Sequence, residues 1–162
     1  MTPEAIARVQ ASHRTLRENG AFLPALFYDR FFARAPKARP HFPSDLTALK
    51  GHFDSALALI IRNLAEHQAI APALRDLGAD HVKWGAQPRY YAAAREALIE
   101  ALRELSGPSW SLTLERDWRM AIGSIIAVML QGAAVETAVA AEAFAEDEGE
   151  TGSREPGTGN RE

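Results

Sequence analysis

Apolar residues recur at three- and four-residue spacing almost from end to end of this chain. Ile6, Val9 and Leu16 follow Thr2-Pro3-Glu4: an N-cap residue, a first-turn proline and an acid near the positive helix end. Asn19-Gly20 stops that helix. A second helix is predicted from about Phe22 to Ala35, carrying Leu26, Phe27, Tyr28, Phe31 and Phe32, and Pro36, Pro40 and Pro43 punctuate the corner after it. Ser44-Asp45 caps a third helix extending to about Glu66, with Leu49, Phe53, Ala56, Leu57, Ile60, Ile61 and Leu64 on its buried face. Pro72 opens a shorter segment that ends at His81. Pro88 begins a long helix through Tyr91, Ala94, Leu98 and Leu102 to Leu105, broken by Ser106-Gly107-Pro108. The last helix is predicted from about Leu112 to Ala143, with Trp118, Ile122, Ile125, Ile126 and Met129 inward. No segment alternates with period two between turn signals, so the chain reads as all-α.

From Glu146 the run EDEGETGSREPGTGNRE is rich in charge and glycine, has no apolar residue to bury, and is expected to be disordered. The 162 residues therefore divide into one domain, 1–144, and a tail, 145–162. A core of about 135–140 residues buries roughly two thirds of its unfolded surface, enough to need no disulfide or zinc.

Composition narrows the chemistry. There is no cysteine, which excludes thiolate ligands, iron–sulfur clusters and thiol nucleophiles, and is compatible with a reducing cytosol. A net charge of −3 gives no basic surface for nucleic acid. The apolar run from Ile122 to Leu130 is too short to span a bilayer, and MTPEAIARVQASHR lacks the apolar core of a signal peptide. A soluble, cytoplasmic protein is expected. No Gly-rich phosphate loop, HExxH, EF-hand or GxSxG pattern occurs.

The candidate chemistry falls on the histidines, of which there are five. His81, in LRDLGADHVKWGAQPRYY, ends a short polar helix, where an imidazolium interacts favourably with the helix dipole. The residues alone leave that reading open. His13 and His67 read as surface residues.

Segment 26–42, LFYDRFFARAPKARPHF, carries Phe27-Tyr28, Phe31-Phe32, Pro36, Arg39-Pro40 and Phe42. It resembles the B helix and CD corner of bacterial single-domain globins and of the haem domains of flavohaemoglobins. LGADHVKWGAQPRYY resembles their F helix and FG corner, and Trp118 in ERDWRMAIGSIIAVM resembles their final helix. The resemblance covers roughly residues 5–135. It implies a globin fold packed around haem b, with His81 as the proximal iron ligand. It further implies Phe42 against the haem face, Tyr28 on the distal side with a phenol for dioxygen, and Tyr91 beside the proximal histidine. His52 would be the distal residue, with Ala56 one turn on, and would gate the pocket, hydrogen-bond a ligand or bind iron directly. A one-residue shift of the third helix instead places Phe53 over the iron and His52 in solvent. Lys50, Lys83 and Arg89 are candidate propionate partners or plain solvated surface, and His41 lies near the haem edge.

One departure stands out. Flavohaemoglobin-like proteins place a last-helix glutamate in a cluster with the tyrosine and histidine, which makes the imidazole electron-rich. Counted from Trp118, that position here is Ala133, and Glu136 is one turn later. This argues against peroxidase-like proximal chemistry.

The implied function is reversible binding of dioxygen, and of other diatomic gases such as NO and CO, for storage, transport or scavenging. Two alternatives follow from the same resemblance. One is a nitric oxide dioxygenase turning dioxygen and NO into nitrate with an external reductase, because no flavin- or NAD-binding module is expected in this chain. The other is a gas sensor in which His52 leaves the iron when gas arrives.

Overall fold

The computed structural model describes residues 1–151, with side chains described for 1–142. The helices are α1 (Pro3–Glu18), α2 (Leu23–Arg34), α3 (Thr47–Arg62), α4 (His67–Lys83), α5 (Pro88–Ser106) and α6 (Leu112–Thr151). Short 3-10 turns cover Pro36–His41, Leu64–Glu66 and Gly107–Ser109, and no strand occurs among the described residues. The helix expected to end near Ala143 is described to Thr151. Residues 152–162 of the expected tail lie outside the described residues.

Local chemistry explains most boundaries. The Thr2 hydroxyl accepts from the Ala5 amide at 3.2 Å, and Gly20 takes a φ of +73° just past α1. Asp45 accepts from the Thr47 amide at 2.9 Å and from its hydroxyl at 2.7 Å, so α3 starts at Thr47, just after the expected cap. It ends where the Asn63 side chain donates to the Leu59 carbonyl at 2.8 Å, and the chain tightens into the Leu64–Glu66 turn. Pro72 does not open a segment: it lies inside α4. In an early turn of the helix a proline removes a single backbone donor. Ala71, Leu74 and Gly78 bury the helix against α6 despite that loss.

Two apolar clusters form. The larger joins α1, α2, α3, α5 and α6 through Val9, Phe27, Phe31, Leu57, Leu102 and Trp118. The smaller joins α4, α5 and α6 through Leu74, Tyr91 and Met129, with Ile60 of α3 and Leu77 of α4 at its edge. Thus α2 lies along α5 and α4 along α6, while α3 rests on α1 and α2. The two helices α3 and α4 are held by different partners and do not pack extensively on each other.

Three expectations change. His13 is buried at 6% exposure, edge-on to Trp118 at 6.3 Å; it continues the Ala5, Val9, Leu16 stripe that α1 buries. Ala56 is exposed, because α1 and α2 cover the side of α3 that carries Leu57 and Ile61. The apolar run of α6 is also longer than Ile122–Leu130. By length and composition the helix over Leu112–Glu142 could cross a membrane. Its Trp118, Ala121, Ile122, Met129 and Ala133 are buried within the bundle.

Candidate functional site

His81 stands in the last turn of α4, where its Nδ1 lies 2.7 Å from the Leu77 carbonyl oxygen. A carbonyl only accepts, so Nδ1 carries the proton and Nε2 is left with a free lone pair. Burial pushes the imidazole below its ordinary basicity, against the opposing pulls of the Leu77 carbonyl and Asp80. The side chain is thus a neutral imidazole with a fixed tautomer, the form that ligates a metal. Among the described residues no group of three or more His, Cys, Asp or Glu could hold a metal ion. A lone neutral histidine suits a metal that brings its other ligands with it.

Aromatic groups flank it. The Tyr91 ring lies 6.1 Å from that of His81, and its hydroxyl is buried without a partner. The Trp84 ring lies 5.2 Å away and is 57% exposed.

A second group of residues comes from α2, the corner after it and α3. Tyr28, buried, stands edge-on to Phe42 at 6.0 Å and to Phe53 at 5.8 Å. Phe53 stacks on Phe27 at 4.6 Å. Desolvation pushes the Tyr28 phenol up to about 12, so it remains an O–H donor, and no protein group among the described residues takes that hydrogen bond. Arg39 fixes the corner, donating to the carbonyls of Phe42, Pro43 and Ser44 at 3.0–3.1 Å.

The register of α3 separates His52 from Phe53. Phe53 joins the aromatic cluster, whereas His52 is exposed and shares one face with Ala56 and the half-exposed Leu59. No hydrogen bond or ring contact among the described residues joins His52 to Tyr28 or His81. Lys83 sits 3.5 Å from Asp80 and 3.9 Å from Glu136, and the Arg89 guanidinium lies over the Tyr90 ring at 5.1 Å. His41 is exposed and wedged beside Gly85, so the corner after α2 meets the corner after α4.

The arrangement fits haem. A half-buried histidine with a free Nε2, an aromatic wall with an unengaged hydroxyl, and uncovered apolar side chains at Ala56, Leu59 and Trp84 suit an apolar, planar, metal-bearing group. Two residues that the sequence reading passed over are Gly78 and Gly132, which touch backbone across the α4–α6 contact.

Residues 25–129 match the family model described as Globin, and this chain belongs to the globin family. Among curated relatives, Leghemoglobin 2 of Sesbania rostrata is 26% identical over 140 residues, which is 79% of this chain and 95% of that protein. A Flavohemoprotein of Bordetella parapertussis is 28% identical over 158 residues, covering 95% of this chain but 38% of that longer protein. An engineered carbene transferase from Rhodothermus marinus superposes with a TM-score of 0.77 at 26% identity, covering 87% of this chain and 99% of the other. A bacterial globin from Campylobacter jejuni, at 19% identity and a TM-score of 0.70, supports the fold alone; it covers 85% of this chain and 98% of that one. The fold is the globin fold and the protein is a haem-binding globin.

Proposed function

We propose that this globin holds haem b through Nε2 of His81 and binds dioxygen reversibly, with NO and CO as alternative ligands. The observation that carries the reading is the His81–Leu77 hydrogen bond of 2.7 Å, which leaves Nε2 as an unprotonated donor. When bound, haem supplies an iron centre able to take a diatomic gas. His81 orients that centre from one side. Phe42 and the exposed apolar face of α3 supply the apolar walls, which exclude water. Tyr28 offers a phenolic O–H to a polar gas and stays protonated at every physiological pH. From its exposed place on α3, His52 acts as a gate at the mouth of the pocket.

Haemin titration of the apoprotein, followed by repeated oxygenation and deoxygenation after reduction, tests this reading. A one-to-one Soret titration lost in His81→Ala, and reversible spectra over several cycles, are expected. Oxidation to the ferric form within seconds of exposure to air would sink the carrier role.

A second reading, nitric oxide dioxygenase, is supported by likeness to two proteins. The Rhodothermus marinus relative is named as a candidate nitric oxide dioxygenase, and the Bordetella flavohemoproteins are longer relatives. Here the chain would draw electrons from a separate reductase. Mixing the oxygenated protein with NO would yield nitrate one for one; recovery of less than stoichiometric nitrate would rule the reading out.

A further inference from the structure

The helix pair α4–α6 approaches at glycine on both sides. A Cβ built on Gly78 would lie 1.8 Å from the Met129 carbonyl oxygen and 2.6 Å from its carbon. On the facing helix, a Cβ on Gly132 would lie 1.9 Å from the Arg75 carbonyl oxygen. The contacts are reciprocal: each glycine touches backbone one turn before the other glycine. Both neighbours are main chain, so no side-chain rotation relieves the clash. Ordinary contact needs about 3.5 Å, so an alanine at either position must part the helices by roughly 1.5 Å. Glycine as such does not demand this closeness, since a Cβ at Gly51 in α3 or Gly123 in α6 would meet nothing within 4 Å.

His81 is one turn beyond Gly78, and its ring is tied to the carbonyl of Leu77, the residue next to Gly78. The imidazole therefore moves with that turn of α4. Leu74, Tyr91 and Met129 close the apolar cluster around the crossing. Packed interiors transmit such displacements rather than absorb them.

We propose that Gly78 and Gly132 are positioning residues: their backbone crossing sets where His81 stands, and so tunes the iron's affinity for gas. The inference rests on His81 being the iron ligand. Alanine at either glycine displaces the imidazole, whereas alanine at Gly123 leaves it in place.

The test compares Gly78→Ala, Gly132→Ala and Gly123→Ala in the full haem-loaded chain. Each is also made in a His81→Gly background supplied with saturating free imidazole, which ligates without a tether to α4. The readouts are the iron–imidazole stretch in resonance Raman spectra of the ferrous protein and the affinity for carbon monoxide. Gly78→Ala and Gly132→Ala should shift the stretch and change the affinity roughly threefold or more. Both effects should vanish with untethered imidazole, and Gly123→Ala should change neither. Unshifted spectra in folded Gly78→Ala and Gly132→Ala protein would overturn the proposal, as would shifts that persist with free imidazole. If neither alanine variant folds, His81→Gly with imidazole is compared directly with wild type. A different stretch is expected, and an identical one overturns the proposal. A wild-type stretch in His81→Gly without imidazole would instead reject His81 as the ligand.

Discussion

The ring of Tyr91 stands 6.1 Å from that of His81, yet the tyrosine hydroxyl is buried with no hydrogen-bond partner among the described residues. The imidazole donates its Nδ1–H to the Leu77 carbonyl oxygen instead, and Ala133 on α6, buried at 8% exposure, offers no side-chain acceptor. Tyr91 thus packs beside the histidine with no hydrogen bond to it among the described residues. Tyr91→Phe should leave the iron–imidazole stretch unmoved and leave stability unchanged or raised by up to about 1 kcal/mol, since an unpaired buried polar group is removed. A shifted stretch would show that the hydroxyl reaches the imidazole after all.

Tyr28 is the second site for a conservative change. Tyr28→Phe retains the edge-on contacts with Phe42 and Phe53 and removes only the unengaged O–H. Dioxygen should dissociate about tenfold faster, corresponding to one hydrogen bond of roughly 1.4 kcal/mol, while haem binding is retained. Stopped-flow release rates equal to wild type would remove Tyr28 from any role in holding gas.

His13 makes stability depend on pH. Burial lowers its basicity, Arg17 adds to the effect and Asp54 opposes it. The folded chain therefore takes a proton less readily than the unfolded one. The stability that depends on neutral His13 is complete above about pH 6.5 and is lost as pH falls below that value. His81 is shifted in the same direction, so the effects add in the apoprotein. Urea midpoints at about pH 7.5 and about pH 5.5 should differ more for wild-type apoprotein than for His13→Leu. Equal differences would place His13 in solvent.

Gly85 couples two corners. Its φ is +86°, and a Cβ there would fall 2.4 Å from Nδ1 of His41. Gly85→Ala should cost about 1–2 kcal/mol from the backbone conformation alone, with the collision adding to it. Adding His41→Ala should restore the collision part and leave the backbone part. Equal denaturation midpoints for the single and double variants would show that the exposed His41 ring turns aside at no cost.

Helix starts marked by Pro3 and Pro88, and stops marked by Gly20 and Gly107, were legible because capping is a local event. Pro72, the exposure of His13 and the burial of Ala56 were misread because a distant partner decides each. Packing against α6 carries α4 through its proline, α1 buries a histidine at a core position, and nothing from α1 or α2 covers Ala56. The aromatic group around Tyr28 and Phe42 was legible through family resemblance in the order of its segments. The choice between His52 and Phe53 was not, because both sit within one helical step of an apolar stripe and only tertiary contact fixes the register. Gly78 and Gly132 look like weak helix positions in isolation. Their purpose lies in an approach between helices that are far apart in sequence.

The separate anchorage of α3 and α4 also bears on how the protein opens. Tyr28 and Phe53 pack in the large cluster and α4 mainly in the small one, with Ile126 touching both, so α4 is expected to open more readily than the larger body. Haem spanning the gap would join them into one cooperative body, and part of its binding free energy would be spent on ordering α4. Amide exchange along α4 thus becomes a gauge of cofactor occupancy: fast in the apoprotein, slow once the two halves are bridged.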